Sequence, residues 1–338
     1  AKGQTAFGMQ PIEAQAQGLA QMRSELTKSG TDPDTEKRFD RLESIHKAKV
    51  AAFKDNPLKA LVDYGLADSV PPIDTSSIGG VVASLQQRAG VVALAEAQMP
   101  KGSAPVSLFQ PQEAAQVADA LAVLPVGDQA KALQQLTNAM GARQASAFAR
   151  QVAPKDRAMS LAMQVDDPGT GELILRGARA LREKTVKENN DVYSSPRALI
   201  TKEIGEAFPN PAMREDMIEA ATLASYGQAS TGNSSSVKKA LEAVGVNVVK
   251  FNGVQVPLPK GMDDDALEDR LKASLPQVQA QASDGKIYVD GVPVAADVFA
   301  SQLPKAQLIY YGTGRYAVKT GSGVATDANR KPIIIKVQ

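Results

Sequence analysis

The chain contains no cysteine, no tryptophan and a single histidine. The missing cysteines exclude disulfides, thiolate metal sites and cysteine nucleophiles. One histidine, His46, rules out a multi-histidine metal centre and argues against a histidine-based triad. Aromatic residues make up only 4% of the chain, which argues against stacking platforms for sugars or single-stranded nucleic acid. Charge of one sign is also lacking: 38 Lys and Arg face 37 Asp and Glu, so no general basic excess signals nucleic acid or acidic lipid. No apolar run approaches the roughly 20 residues expected of a membrane-spanning segment. The opening "AKGQTAFGMQ" begins without an initiator Met and has no signal-peptide pattern, and the expectation is an excised piece of a longer protein.

What is present is Ala, Val and Leu over 338 residues, a length that fits about two domains and a core built without staples. Residues 11–27 place Ile12, Leu19, Met22 and Leu26 on one face behind Pro11. The next segment repeats the pattern, with Asp34 or Thr35 as cap, a stripe of Phe39, Leu42, His46, Val50 and Phe53, and Pro57 as stop. The spacing predicts a helical hairpin. "VVASLQQRAGVVALAEAQ" reads as a further helix. Short helices are then expected over 111–124, 128–140, 142–152, 155–164, 172–187, 196–208 and 211–226, each punctuated by Pro, Gly or a polar cap. Short links between them predict antiparallel neighbours.

"GQASTGNSSS", 227–236, reads as a polar hinge, followed by a helix over 237–244. Beyond it the apolar period becomes two. "VNVVKFNGVQVPLP" and "KIYVDGVPV" predict hairpins around Asn252-Gly253 and Asp290-Gly291, since both dipeptides tolerate the positive φ of tight turns. A helix is expected after each, "DDDALEDRLKASL" and "AADVFASQL", which suggests a duplicated hairpin–helix unit. "AQLIYYG", "RYAVKTG" and "PIIIKV" then predict an antiparallel meander, with Tyr310, Tyr316 and Val318 on its packing face and Lys319 exposed. The expected class is α+β, mainly α. Its parts are a helical hairpin arm (1–66), a multi-helix domain (67–231) and a C-terminal α+β domain (232–338).

Candidate chemistry is sparse. "GTGRYAVKTGSG" has the glycines and Lys-Thr pair of a phosphate loop, but Lys319 and Thr320 precede Gly321 and no helix follows, so hairpin turns are expected. His46 sits among apolar residues with Leu42 and Val50 where a helical metal pair would need a second ligand, which predicts a structural histidine. Glu203 and Glu206 share a helical face and are weighed as solvated groups against a carboxylate pair for glycan cleavage. Asp263, Asp264 and Asp265 are expected to cap a helix. Asp166 and Asp167 in "DDPGTGE", like "TDANRK", lack the twelve-residue calcium spacing. Ser225 and Ser234–Ser236 have no nucleophile-elbow context. Arg176, Arg179, Arg182, Lys184 and Lys187 are interrupted by glutamates and read as a solvated face. No catalytic, cofactor-binding or metal-ligating residue is assigned, and no cofactor is expected.

The segments "LFQPQEAAQVADAL", "DPGTGELILRGARAL", "IGEAFPNPAMREDMIEAATLASYG", "KKALEAVGVNVVKFNGVQVPLPKGM" and "LPKAQLIYYGTGRYAVKTG…PIIIKV", in that order over 78–338, resemble large internal virion or ejection-type structural proteins of tailed bacteriophages and prophages. Some members of that group carry a lytic transglycosylase domain elsewhere in the chain. The resemblance implies a noncatalytic virion component serving particle assembly or genome delivery. It also implies other virion proteins as partners, contact with the host cell envelope, and localisation in the particle until delivery. Homo-oligomers are compatible with the small apolar faces. It carries over no catalytic residue, since "KEIGEAF" lacks the serine after a catalytic glutamate and the "GLMQ"-like segment of such transglycosylases. The alternatives are a peptidoglycan-cleaving enzyme with a carboxylate site of another kind, and a bacterial adaptor or effector that binds through its helices.

Overall fold

The computed structural model describes residues 2–29, 32–165, 167–232, 236–259, 261–282, 284–312 and 314–337. The fold is α+β and mainly α, with fifteen α-helices and seven short strands among these residues. The chain divides into two compact units, Ala1–Pro168 and Gly169–Gln338.

The first unit holds α1 (Lys2–Met9), α2 (Ile12–Ser29), α3 (Pro33–Asp55), α4 (Pro57–Asp63), α5 (Ile78–Gln98), α6 (Pro111–Ala122), α7 (Val126–Val152) and α8 (Arg157–Ala162). Helices α2 and α3 form the expected hairpin, with Leu19, Phe39 and Leu42 buried against Phe7, Met22, Leu26 and Ile45. The cap of α3 is Asp32, whose carboxylate accepts from the Asp34 and Thr35 amides. It stands two residues before the expected position because Pro33 fills the first helical turn. Asn56 ends α3 and then caps α4 through the Lys59 amide. Pro57 therefore starts a helix rather than merely stopping one. The α3 stripe also differs from expectation. Val50 is exposed, and Lys49 is fully buried in its place, because 39, 42, 46, 49 and 53 keep the alternating three-and-four spacing. The Lys49 ammonium donates to Gly8 O (3.0 Å), Gln10 O (2.7 Å) and Gln98 Oε1 (3.0 Å). It also lies over the rings of Phe53 and Tyr64. All three of its N–H groups are satisfied without a carboxylate, and burial holds its pKa below the ordinary lysine value.

Helix α5 is the one described helix long and apolar enough to cross a membrane by length and composition. A core helix passes the same test, and α5 carries two charged residues, Arg88 and Glu96, so the described residues show no clear membrane-spanning segment, as expected. Its inner face, including Val81, Leu85, Val92 and Ala95, is buried in the unit's core. One of the two charges, Arg88, is completely buried. Its guanidinium forks onto Glu113 (2.5 and 2.6 Å) and donates to Pro71 O (2.5 Å) and Leu108 O (3.0 Å). Glu113 simultaneously accepts from the Gln110 amide at the start of α6. One buried fork thus ties two loops and the first turn of α6 to α5. Helix α7 breaks at Gly141, whose φ of 73° and ψ of 162° are non-helical, at the expected boundary between two shorter helices.

The second unit holds α9 (Pro168–Arg182), α10 (Pro196–Ile204), α11 (Pro211–Ser230) and α12 (Val237–Ala243). There follow β1 (Asn247–Phe251), β2 (Val254–Leu258), α13 (Asp264–Lys272), α14 (Leu275–Gln281), β3 (Lys286–Val289), β4 (Val292–Ala295) and α15 (Ala296–Gln302). The chain ends in β5 (Leu308–Tyr310), β6 (Arg315–Val318) and β7 (Ile334–Lys336). Helices α1, α4 and α14 are additions to the expected set. Helix α9 stops at Arg182 rather than 187, because Lys184 turns left-handed at φ 57° and the Thr185 amide closes the helix onto Ala180 O. Helix α11 runs through the first residues of the expected hinge. Gly227 is buried under Leu173, and a β-carbon there would lie 2.1 Å from Leu173 O. Its counterpart on α9, Gly177, would meet Leu223 O at 1.8 Å. The pairs 173/227 and 177/223 show that α9 and α11 cross antiparallel and nearly in backbone contact.

The strands form two hairpins, β1–β2 and β3–β4, and the three-stranded meander β5-β6-β7, all antiparallel. Both hairpin turns take positive φ at both central residues, 46° and 82° at Asn252-Gly253 and 51° and 82° at Asp290-Gly291, as the dipeptides require. Buried residues of the hairpins, the meander, α13, α14 and α15 share one core, including Val256, Leu271, Ile287, Phe299, Tyr316 and Ile335. Tyr316 is fully buried and donates to Pro257 O (2.6 Å). Val318 is buried and Lys319 exposed, as expected. The outer edge of β7 is covered from α14. Gln281 exchanges two amide hydrogen bonds with Ile334 (both 2.9 Å), and Gln277 does the same with Lys336 (2.8 and 2.9 Å). Two glutamines one helical turn apart therefore stand in for a further strand.

Candidate functional site

A cleft of about 580 Å³ opens in the second unit where α9 and α11 part beyond the Gly177–Leu223 approach. Leu181, one turn further along α9, and Glu219, one turn earlier on α11, line it with Ala198 of α10 and Tyr226. Ser195 caps α10 by accepting from the Ala198 amide (3.1 Å), which sets Arg197 and Ala198 toward the cleft. Arg197 bonds Glu219 (2.7 Å) and Glu215. Chiefly the Glu215 bond raises its pKa further, so it is a fixed cation already matched by carboxylates.

A further wall comes from the loop 183–195, whose part "KENNDVYSS", 187–195, supplies its lining residues. The Tyr226 hydroxyl accepts from the Asn189 amide (3.0 Å) and donates back to Asn189 O (3.4 Å). Asn189 Oδ1 accepts from the Asp191 amide (3.0 Å). Asp191 Oδ1 takes the Tyr193 amide (2.9 Å), the Ser194 amide (2.7 Å) and the Ser194 hydroxyl (2.9 Å). The Tyr193 and Ser194 bonds hold the Asp191 carboxyl below the usual carboxylate pKa. These bonds fix the backbone in one shape. At its tip, Val192 is 75% and Tyr193 85% exposed. A braced loop that presents a tyrosine and a valine beside a cleft is suited to holding another molecule.

The residues weighed from sequence do not gather here. His46 is half-buried, with Nδ1 3.2 Å from Gln15 Oε1, in a structural setting. Glu203 is exposed, and Glu206 is 91% exposed and paired with Arg214; neither stands in an apolar cleft. Asp263 caps α13 through the Ala266 amide, with Asp264 and Asp265 in the first turn. Asp166, Ser234 and Ser235 lie outside the described residues, whereas Ser236 caps α12. Ser225 is buried within α11. Arg176 pairs with Glu172, and Lys184 and Lys187 fall beyond the end of α9, so the basic residues form no continuous helical stripe. Among the described residues no group of three His, Cys, Asp or Glu side chains is arranged to hold a metal ion. The loop 183–195 was not singled out from sequence. Its signal is a valine and a tyrosine set inside "NND…SS", apolar residues where turn chemistry predicts polar ones.

The glycine-rich stretch does hold an anion, and the anion is the chain's own. Asp290, in the β3–β4 turn, accepts from the Gly321 amide (3.0 Å), the Ser322 amide (2.8 Å) and the Ser322 hydroxyl (2.5 Å). Ser322 and Thr320 are the main causes that hold its pKa far below the ordinary value. Asn252 plays the reciprocal part in the first hairpin, donating to Pro304 O and Ala306 O (both 2.9 Å). A carboxylate meets amides and an amide meets carbonyls, so each turn closes one downstream loop. Asp290→Asn keeps the turn, because asparagine tolerates positive φ, but removes the charge. Exchange of the Gly321 and Ser322 amides is expected to quicken roughly tenfold at neutral pH. A carboxylate with a lowered folded pKa stabilises above its ordinary pKa and loses that contribution as pH falls through the folded value. The wild-type advantage is therefore expected to persist at pH 5 and to decline only below about pH 4. Hydrogen exchange at those two amides across pH checks both statements.

No family model matches the chain, and neither a curated protein nor a solved structure matches it.

Proposed function

We propose that the chain is a noncatalytic structural and assembly segment of a phage virion protein, internal or ejection-type, that serves particle assembly or genome delivery. The observation that carries this reading is the braced loop that holds Val192 and Tyr193 in solvent beside a cleft. Large exposed apolar side chains on a fixed backbone favour binding, since little order has to be imposed when a partner arrives. Tyrosine in that setting is a common anchor of protein interfaces. The order of segments that resembles internal virion proteins supplies the setting, with other virion proteins as partners and the host envelope or cytoplasm as destination.

The test is incorporation. Val192→Ser/Tyr193→Ser removes apolar tips that touch no core, so its melting temperature is expected to stay within about 2 °C of wild type. Its amount per purified particle, measured by quantitative mass spectrometry, is expected to fall at least fivefold. Absence of the wild-type chain from particles, or normal incorporation of the variant, overturns the reading.

A further inference from the structure

Three surfaces compete for a more specific role. The outer face of α5 is uncharged, but nothing in the structure indicates what covers it. The edge of β7 is already closed by Gln277 and Gln281. The cleft beside Tyr193 is open, and its chemistry is directional.

Resting on the reading of this chain as a binding module, the geometry points to a partner of defined chemistry: an extended segment of another protein that carries a lysine or arginine between apolar residues. The floor, Leu181, Leu223 and the Tyr226 ring, is apolar. The rim is acidic. Glu188, Asp191 and Glu219 line the cleft with one cation, Arg197, and that cation is already satisfied by Glu215 and Glu219. Glu188 is exposed and makes no ion pair or hydrogen bond among the described residues, and Asp191 uses only Oδ1 for its loop. Two carboxylates on one wall are therefore free to meet a cation. A volume of about 580 Å³ takes a few side chains, within the ordinary range for a pocket. An extended segment sends alternate side chains to opposite faces, so an apolar residue can reach the floor while a basic one stays at the rim. Tyr193 follows Val192, which lines the cleft, and its exposed ring can cover the aliphatic stem of a lysine or stack on a guanidinium. A phosphate or nucleic acid is disfavoured by the same carboxylates. A second copy of the chain docked through this face would bring like charges together.

The experiment uses the full chain and three fluorescein-labelled synthetic nonapeptides, alternating Val-Lys, Val-Ser and Val-Glu, followed by fluorescence anisotropy. The Val-Lys peptide is expected to bind at least tenfold more tightly than Val-Glu, with affinity falling as salt is raised. Glu188→Lys is expected to weaken Val-Lys binding about fivefold or more, and Tyr193→Ser to weaken all binding. Glu188 and Tyr193 are exposed, and circular dichroism of both variants is expected to match wild type. Equal binding of the three peptides, preference for Val-Glu, Val-Lys binding unaffected by Glu188→Lys, or concentration-dependent self-association through this face each overturns the proposal. The two readings fail separately. Loss of Val192→Ser/Tyr193→Ser from particles without Val-Lys binding leaves the assembly role and discards the basic segment. Val-Lys binding with normal incorporation of that variant does the reverse.

Discussion

Arg88→Met is expected to remove about 3–4 kcal/mol from the stability of the first unit, near the lower end of what breaking a buried ion pair costs. Methionine keeps most of the arginine's apolar stem, so little of the loss is packing. The loss comes from the groups left behind. Pro71 O and Leu108 O lose their donor in a place where Arg88 has no exposed surface, and Glu113 loses its bidentate partner. Glu113 keeps 20% of its side-chain exposure, so water partly re-solvates it and the cost stays below the range's upper end. Arg88→Lys is expected to recover less than half, because a point cation cannot serve a carboxylate and two carbonyls in one plane. Glu113→Gln leaves the opposite orphan, a buried guanidinium facing a neutral amide, yet still offers an oxygen to the Gln110 amide. Arg88→Met/Glu113→Gln is expected to cost less than the two single changes summed, since each alone leaves a charge facing the wrong partner. Urea unfolding of the four proteins measures the coupling; strict additivity would mean that the fork is incidental.

Local rules made some of these elements readable and left others out of view. The hairpin turns at Asn252-Gly253 and Asp290-Gly291 were legible because two residues suffice to specify a backbone shape. The break at Gly141 was legible for the same reason. Burial of Tyr316 and Val318 followed from a period of two. What stayed hidden depends on residues distant in sequence. Lys49 looks like a surface residue until the carbonyls at Gly8 and Gln10 and the amide of Gln98 converge on it. Gln277 and Gln281 carry no sign that β7 lies beside them. Asp290 reads only as a turn former, although the loop it fills was the stretch most like a phosphate site. The composition of that loop reported a real anion-binding geometry, and its occupant lay 31 residues earlier. The cleft was hidden twice over. Its floor forms where α9 and α11 approach to backbone distance, and the first residues of its projecting loop, 183–187, are ones that the periodic pattern assigns to the end of a longer helix.

Gly177→Ala tests the approach that creates the cleft, and the expected loss is about 3 kcal/mol, at the upper end of ordinary overpacking. In an exposed helix the same change would stabilise by up to about 1 kcal/mol, because alanine is the better helix former. The sign reverses here. The added methyl would stand 1.8 Å from Leu223 O and 2.8 Å from Gly227 N, and both are backbone atoms that no rotamer change can move. The helices must separate, which loosens the buried contacts of Ile174, Leu223 and Ala224 along the seam. Gly227→Ala meets Leu173 O at 2.1 Å and is expected to cost a similar amount through the same movement. Once α9 and α11 have been forced apart by one methyl, the second enters space already made. The double variant is therefore expected to cost clearly less than the sum of the singles, with a coupling of about 1 kcal/mol or more. Binding should register the movement as well. Leu181 and Glu219 lie one turn from the point of contact and line the cleft, so Gly177→Ala is expected to weaken Val-Lys peptide binding even where the protein remains fully folded. Thermal unfolding and anisotropy on the same samples separate the two effects. Intact binding in a destabilised variant would show that the cleft keeps its shape independently of the helix crossing beneath it.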